Sequence, residues 1–392
     1  MDTHPVGAAT ATQGSKKGSV REVAHVFLKL GTIAFGGPAA HIAMMYDEAC
    51  LKRRWVSENR FLDLLGAANI IPGPSSTEMA IYLGYERAGW RGLIAGGTCF
   101  IMPAMIIVLA IAWAYVTYGS LPQAAWLLYG IKPAVVAVIV QALWKLLRTA
   151  VRGALLVCVA IAVLALYLWG LNAIALIFGA GFLVMILRNG RRQWRGGAPV
   201  FAILPALGLP AAAAPFSLAS LFLTCLKIGS VVFGSGYVLL AFLRADFVER
   251  LRWLTDRQIL DAVAVGQFTP GPVFTTATFI GYLLGGVKGG LLGTLGIFLP
   301  AFIVAAAVFP LVGALRRSKW ASAFLDGVNV GALGLMVGVT WQLGRAAIVD
   351  WLTLGLAVVS ALVLFRLRIN SAWIIMGGAV VGLVCKLAGW SP

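Results

Sequence analysis

The sequence predicts an all-α polytopic membrane protein: two inverted-topology repeats of about six hydrophobic segments each, with helices broken at the midplane. The first observation is a repeat. Lys29-Leu30-Gly31, three residues, then Phe35-Gly36 returns as Lys227-Ile228-Gly229, three residues, then Phe233-Gly234. At the same shift of 198 positions Trp55 falls on Trp253, Leu62-Asp63 on Leu260-Asp261, Pro72-Gly73-Pro74 on Pro270-Gly271-Pro272, and Phe100 on Phe298. About 16 of the 72 positions from Lys29 to Phe100 are identical, more than shared apolar composition supplies. After a slip of one residue Gly130 meets Gly327 and Trp144 meets Trp341. The second observation is composition: 60% hydrophobic and 11% charged, with a mean hydropathy of +0.92. Such a chain belongs in lipid.

The third observation is charge placement. The hydrophobic segments are residues 22–45, 61–85, 91–118, 122–147, 153–169 and 171–187, then 217–243, 259–284, 289–315, 321–343, 351–365 and 371–387. Between the third and fourth segments the first copy has no basic residue, whereas the second carries Arg316, Arg317 and Lys319. The next loop reverses this, with Lys145, Arg148 and Arg152 against Arg345 and Asp350. Equivalent loops therefore lie on opposite sides of the membrane, and the repeats are inverted. Residues 1–21 lack an apolar core and read as a cytoplasmic tail; 22–195 and 217–392 are the two membrane repeats. Inversion requires residues 196–216 to make an extra crossing, although four prolines make that stretch a poor helix. One loop, Lys52-Arg53-Arg54, is external in this scheme, against the positive-inside rule. Either the first two segments dip in without crossing, or the nearby acids Asp47, Glu48 and Glu58 offset the charge.

The net charge of +17 sits at segment ends, so it gives no reason to invoke a nucleic-acid partner. Cys50, Cys99, Cys158, Cys225 and Cys385 show no paired spacing, and His4, His25 and His41 are too separated for a metal cluster. No cofactor is called for. Tryptophans such as Trp55, Trp90, Trp169 and Trp351 lie near segment ends, as an interfacial belt does.

The breaks carry the chemistry. The first segment is interrupted at Gly36-Gly37-Pro38 and the second at Pro72-Gly73-Pro74; their partners break at Gly234-Ser235-Gly236 and Pro270-Gly271-Pro272. Proline removes a backbone donor but suits the first residue of a helix, so Pro38, Pro74 and Pro272 are expected to start half-helices. Their first turns would aim N–H groups at a common midplane, which suits an anion. Taken singly, such breaks are kinks or close-packing glycines; four in matched places favour a site. Ser75, Ser76 and Thr77 follow the first Pro-Gly-Pro, Thr275 and Thr276 the second, and Asn69 and Gln267 precede each. These neutral donors suit oxyanion oxygens, or else bond backbone groups that the breaks release. Lys29 and Lys227 hold matched positions inside apolar runs, where they attract an anion or snorkel to the interface. Glu78, opposite Thr276 in this register, is a candidate coupling group: protonated it could donate a bond, whereas its ordinary role is to favour a helix's first turn.

FGGP at 35–38, FGSG at 233–236, the paired Pro-Gly-Pro motifs, and the stretches WVSENRFLD and WLTDRQILD resemble the chromate ion transporter family. The resemblance runs from about Val23 to Trp390. It implies a bacterial inner-membrane secondary transporter, not an enzyme, that carries the oxyanion chromate out of the cytoplasm and confers chromate resistance. Chromate is a tetrahedral dianion like sulfate, so sulfate or a related oxyanion stays open on this ground. A passive channel is the alternative of another class, and so is a membrane-embedded redox enzyme, for which the sequence offers neither cofactor motif nor cysteine pair. The bilayer is the other partner; association of identical chains is left open. Gly236 stands where the first copy has Pro38, a departure that sets the two first breaks apart.

Overall fold

The computed structural model describes residues 18–69, 71–119, 122–151, 153–189, 215–232, 236, 238–309, 319–367 and 369–388. The connecting segment expected at 196–216 lies outside them except for its last two residues. So do Gly234 and Ser235, Arg316 and Arg317.

The first copy comprises α1 (Val20–Ile33), α2 (Pro38–Tyr46) running into a π-helical turn (Asp47–Lys52), α3 (Glu58–Ala68), α4 (Ser75–Tyr118), α5 (Pro122–Ala150), α6 (Ala154–Leu168) and α7 (Ala173–Asn189). The second comprises α8 (Leu218–Val231), α9 (Leu239–Leu243) with its π-helical turn (Arg244–Arg250), α10 (Asp256–Phe268), a 3₁₀ turn (Val273–Thr275), α11 (Thr276–Val308), α12 (Lys319–Ala347), α13 (Trp351–Leu367) and α14 (Ser371–Leu387). Side-chain caps mark the starts of α1 (Ser19), α3 (Ser57), α8 (Ser217) and α10, where Thr255 and Gln258 complete a capping box.

The first two segments of the first copy do not cross. With 14 residues, α1 is about 21 Å long, short of a hydrocarbon core of about 30 Å. Its start is tied to residues that lie beyond the breaks. Glu22 accepts from Trp55 Nε1 at 3.1 Å and pairs with Arg53 and Arg87, and the Gly18 amide donates to the Arg87 carbonyl. Arg60, in the first turn of α3, pairs with Glu86 near the end of the first arm of α4. Both helix pairs, α1–α2 and α3–α4, thus enter from one face, turn at their breaks, and return to it. The Lys52-Arg53-Arg54 loop shares a face with Arg87, and the conflict with the positive-inside rule disappears.

α4 then folds back on itself. Ala88 and Gly89 leave helical geometry, and Gly89 takes a φ of +63°, so residues 75–87 and 90–118 form an antiparallel hairpin. Glycine lets the arms touch: a Cβ on Gly84 or Gly92 would overlap the other's carbonyl oxygen. α11 repeats the device at Gly285 and Gly286, with Gly281 against Gly289. The long second arms do cross, and they report the inversion. Tyr115, near the end of α4, donates to Asp261 at the entry of α10, whereas Phe309, just past α11, packs on Tyr82 and Tyr85 beside the first copy's entry. The re-entrant pairs of the two copies therefore come in from opposite faces.

The hairpins also correct the repeat register. Gly84–Gly92 and the Ala88–Gly89 kink match Gly281–Gly289 and Gly285–Gly286 at 197, not 198, and Pro103 matches Pro300 at 197. The slip lies just after Pro-Gly-Pro, not beyond Phe100. In the first copy residues 75–79 are α-helical, whereas the second covers the same path with a 3₁₀ turn of three residues and Thr276. Five residues rising about 1.5 Å each, and three at about 2.0 Å plus one at 1.5 Å, both span about 7.5 Å. Glu78 falls inside the slip, with Thr275 and Thr276 covering its position in the second copy.

Beyond the hairpins the copies exchange helices. α5 packs against α13 and α14 of the second copy, and α12 against α6 and α7 of the first. Small residues permit the approach, Gly130 against Gly378 and Gly327 against Ala180.

Candidate functional site

The two Pro-Gly-Pro breaks are joined crosswise to the other copy's first break. The Gly73 amide donates to the Val232 carbonyl at 2.8 Å, and the Gly271 amide to the Ala34 carbonyl at 2.9 Å. Ala34 and Val232 are 198 apart, as are Gly73 and Gly271, so the bonds are one contact repeated by the pseudo-twofold. Each bond ties a Pro-Gly-Pro break to the residue that closes the other copy's first helix. Gly73 and Gly271 hold φ of +144° and +87°, and Gly36 and Gly37 hold +105° and +79°, values that favour glycine.

Pro38 is the first residue of α2, as expected. Pro74 instead precedes the first residue of α4, and Pro272 precedes the 3₁₀ turn. Neither α2 nor α4 has a side-chain cap, and helical hydrogen bonding begins only at the amides of Ala40 and Thr77, which return to the Gly37 and Pro74 carbonyls.

A cavity of about 800 Å³ opens at these two helix starts. Gly36, Pro38, Asn69 and Ser75 line its inner end, and Lys145 of α5, Arg188 of α7 and Asp326 and Asn329 of α12 line its flank. Arg188 pairs with Asp326, so the two cations and one acid leave one net positive charge. The combination of helix N-termini, amide side chains and a cationic wall is suited to an anion.

The remaining expected residues lie elsewhere. Ser76, Thr77, Gln267, Thr275 and Thr276 are buried behind the breaks and Pro72, Pro270 and Pro272 frame them. The hydroxyls of Thr269, Thr275 and Thr276 donate to the carbonyls of Val265, Pro272 and Val273 at 3.0, 2.9 and 2.8 Å, so they serve backbone groups loosened by the break. Glu78 is fully buried directly behind Gly73.

The two lysines are ion-paired. Lys29 donates to Glu48 at 3.2 Å and Lys227 to Asp246 at 2.5 Å; Lys52 and Arg250 reach the same acids. Every member of one triad maps on the other at 198, and each lysine ties its first helix to the π-helical turn that returns from the break. Solvent reaches half of the Lys29 side chain but less than a quarter of Lys227. We expect Lys227→Met to cost about 2 kcal/mol of stability, below the fully buried range because the site is partly wet. Lys29→Met should cost less, since Glu48 keeps Lys52 and Arg53. The double exchange Lys227→Asp with Asp246→Lys should recover both thermal stability in detergent and flux. Recovery of stability without flux would make Lys227 an anion contact.

Sequence reasoning missed the cavity's flank. Asp326 and Asn329, three apart on α12, were a usable signal: polar groups on one face of an apolar helix usually line a cavity. Lys145 and Arg188 read only as loop charges. His41 was set aside with the metal question, yet it is buried at the first break, with Nε2 at 3.1 Å from the Ala34 carbonyl and its ring edge-on to Phe100.

The sequence profile of the chromate transporter family matches residues 21–185 and again 219–383. A chromate transport protein of Cupriavidus metallidurans is 33% identical over 376 residues, covering 93% of either chain, and one of Pseudomonas aeruginosa is 33% identical over 387 residues, covering 93% of this chain and 90% of its own. An uncharacterized transporter of Methanocaldococcus jannaschii is 28% identical over 373 residues, with 91% and 92% covered. No solved structure matches. With two profile matches spanning most of its length, this multi-pass chain belongs to the chromate transporter family.

Proposed function

We propose that the protein exports chromate from the cytoplasm across the bacterial plasma membrane, and so confers chromate resistance, by alternating access around the two crosswise junctions. The observation that carries this reading is the cavity of about 800 Å³ ending on the uncapped starts of α2 and α4. Its flank lies at the ends of α5 and α7 and the start of α12. The face where the first copy enters also holds Arg53, Arg60 and Arg87, and by the positive-inside rule it is cytoplasmic, with the N-terminus. At the other face Lys132 and Tyr115 meet Asp261, and Arg244 meets Asp256 and Glu249, which serve as the closed side. Inverted copies exchange these roles when the carrier turns over. In this reading residues 22–195 and 217–392 are the repeats, 196–216 crosses between them, and Gly36, Gly37, Asn69, Gly73, Ser75, Gly234, Ser235 and Gly271 approach the ion, the buried hydroxyls joining only in the alternate state.

Inside-out vesicles loaded by an imposed gradient test it: chromate should accumulate against its own gradient, which a passive channel cannot do. Preference for sulfate at equal concentration would reassign the substrate. In a cysteine-free background Ser75→Cys should react with a small thiol reagent, and chromate but not chloride should slow the reaction. No protection at that position would remove the anion from the helix starts.

A further inference from the structure

Among the described residues seven buried side-chain atoms lack a hydrogen-bond partner; Asn189 Nδ2 and Asp261 Oδ1 lie apart, Asp261 facing Lys132 at 3.4 Å, and the other five belong to α2 and the first arm of α4. Thr77 Oγ1, both carboxyl oxygens of Glu78, and Tyr82 Oη lie within six residues of α4, and His41 Nδ1 belongs to α2, which packs on that helix. Glu78 and Tyr82 are each fully buried and one turn apart, so they share a helix face. We propose that Glu78 is the proton-binding site of the carrier, a position distinct from the oxyanion cavity, with Tyr82 beside it on the path toward the face where the first copy enters. This rests on the oxyanion-carrier reading above.

Burial decides which form of the carboxyl is present. An unpaired carboxylate ion in an apolar membrane interior costs far more than its neutral acid, so the closed pocket holds the acid form, with the proton on Oε1 or Oε2. Among the described residues neither carboxyl oxygen has a hydrogen-bond partner; the titratable groups beside it are Tyr82, one turn on along the same helix, and His41 of α2, whose Nε2 is taken up by the Ala34 carbonyl. The carboxyl is also placed to be felt. A Cβ on Gly73 would overlap Glu78 Oε1, so the group lies against the backbone whose amide reaches across to Val232. Losing the proton would put a charge against that junction with nothing to solvate it, and the junction must open for water to enter. The second copy has no such group, since Thr275 and Thr276 cover that position and their hydroxyls are spent on the Pro272 and Val273 carbonyls. One half of the symmetric core therefore binds a proton and the other does not. Tyr82 rests on the ring of Phe309, and the next turn reaches Tyr85 and then Glu86, paired with Arg60 near the membrane face. That column gives a proton a way in that avoids the cavity.

The test uses the full chain in proteoliposomes with isotopically labelled chromate. In the native protein an imposed pH gradient should accelerate net flux. Glu78→Gln, a neutral mimic of the acid, should keep chromate–chromate exchange and lose the acceleration. Acceleration undiminished in Glu78→Gln, or absent from the native protein, overturns the proposal. An independent arm needs neither a variant nor chromate. Dicyclohexylcarbodiimide, which reacts with protonated carboxyls in apolar surroundings, should label Glu78 in the native protein, more at low pH than at high pH, as read by peptide mass spectrometry. Absence of labelling at every pH overturns the proposal even if flux is sound. Labelling of a protein that exchanges no chromate would leave the proton site standing and remove the oxyanion reading.

Discussion

Gly271→Val should abolish chromate transport while the protein still reaches the membrane, and Gly73→Val should come close to it. At Gly271 a Cβ would stand 2.8 Å from the Ala104 Cβ and 3.3 Å from the Gly31 carbonyl oxygen, with φ at +87°. Both neighbours sit on packed helices, so the break itself must move. Overpacking costs about 1–3 kcal/mol and an unfavourable φ a similar amount, enough to dislodge a junction held by one backbone bond. At Gly73 the obstacle is the end of the Glu78 side chain, which yields more easily, though the φ of +144° still opposes a branched residue. Gly179 supplies the comparison, because a Cβ there meets nothing within 4 Å. Flux per inserted molecule should fall to background in Gly271→Val and stay near normal in Gly179→Val. Equal flux in these two variants would remove the Pro-Gly-Pro junction from the transport pathway.

Gly92→Val and Gly289→Val should fail earlier, at assembly. Each would drive its side chain into the carbonyl of the facing arm, Gly84 or Gly281, where the helices touch along their backbones. Moving the arms apart would also strip neighbouring contacts, Gly96 on Ala80 in the first hairpin and Gly293 on Ala277 in the second. The expected result is little monodisperse protein by size-exclusion chromatography in detergent, with accumulation in the membrane reduced alongside. Gly377→Val, at a helical glycine with open space around it, should be recovered like the native chain. A well-behaved Gly92→Val protein would mean the hairpin is not tight.

Much of the architecture is legible in the sequence. The repeat, the four breaks and the inversion come from matched glycines, prolines and loop charges. Re-entrance was harder to read, because an apolar run interrupted by Pro-Gly-Pro has the same hydropathy whether the chain passes on or turns back. The clue was the misplaced Lys52-Arg53-Arg54. The register slip was hidden by the doubled glycine Gly289-Gly290, which offers Gly92 an identity in either alignment. Lys29 and Lys227 looked like anion-seeking charges because their acids lie 19 residues on, past a break. The matched acids Glu48 and Asp246 were there to be seen. The cavity's flank was least legible, since it comes from unbroken helices whose neighbours are set by exchange between the copies.

The crossed backbone bonds have a consequence for biosynthesis. Gly73 waits for Val232, 159 positions later, and Ala34 waits for Gly271, 237 positions later. At about 5–20 residues per second the first copy spends roughly ten seconds or more in the bilayer before its partners are made. The first copy cannot mature alone, since α6 and α7 lack α12, and α5 lacks α13 and α14, until the second copy is made. Through that interval the Ala34 carbonyl has a local partner in His41, whereas the position 198 later is Leu239. The copy synthesised first carries its own brace at that carbonyl and keeps it in the finished fold; the copy synthesised second arrives to find its acceptor already in place.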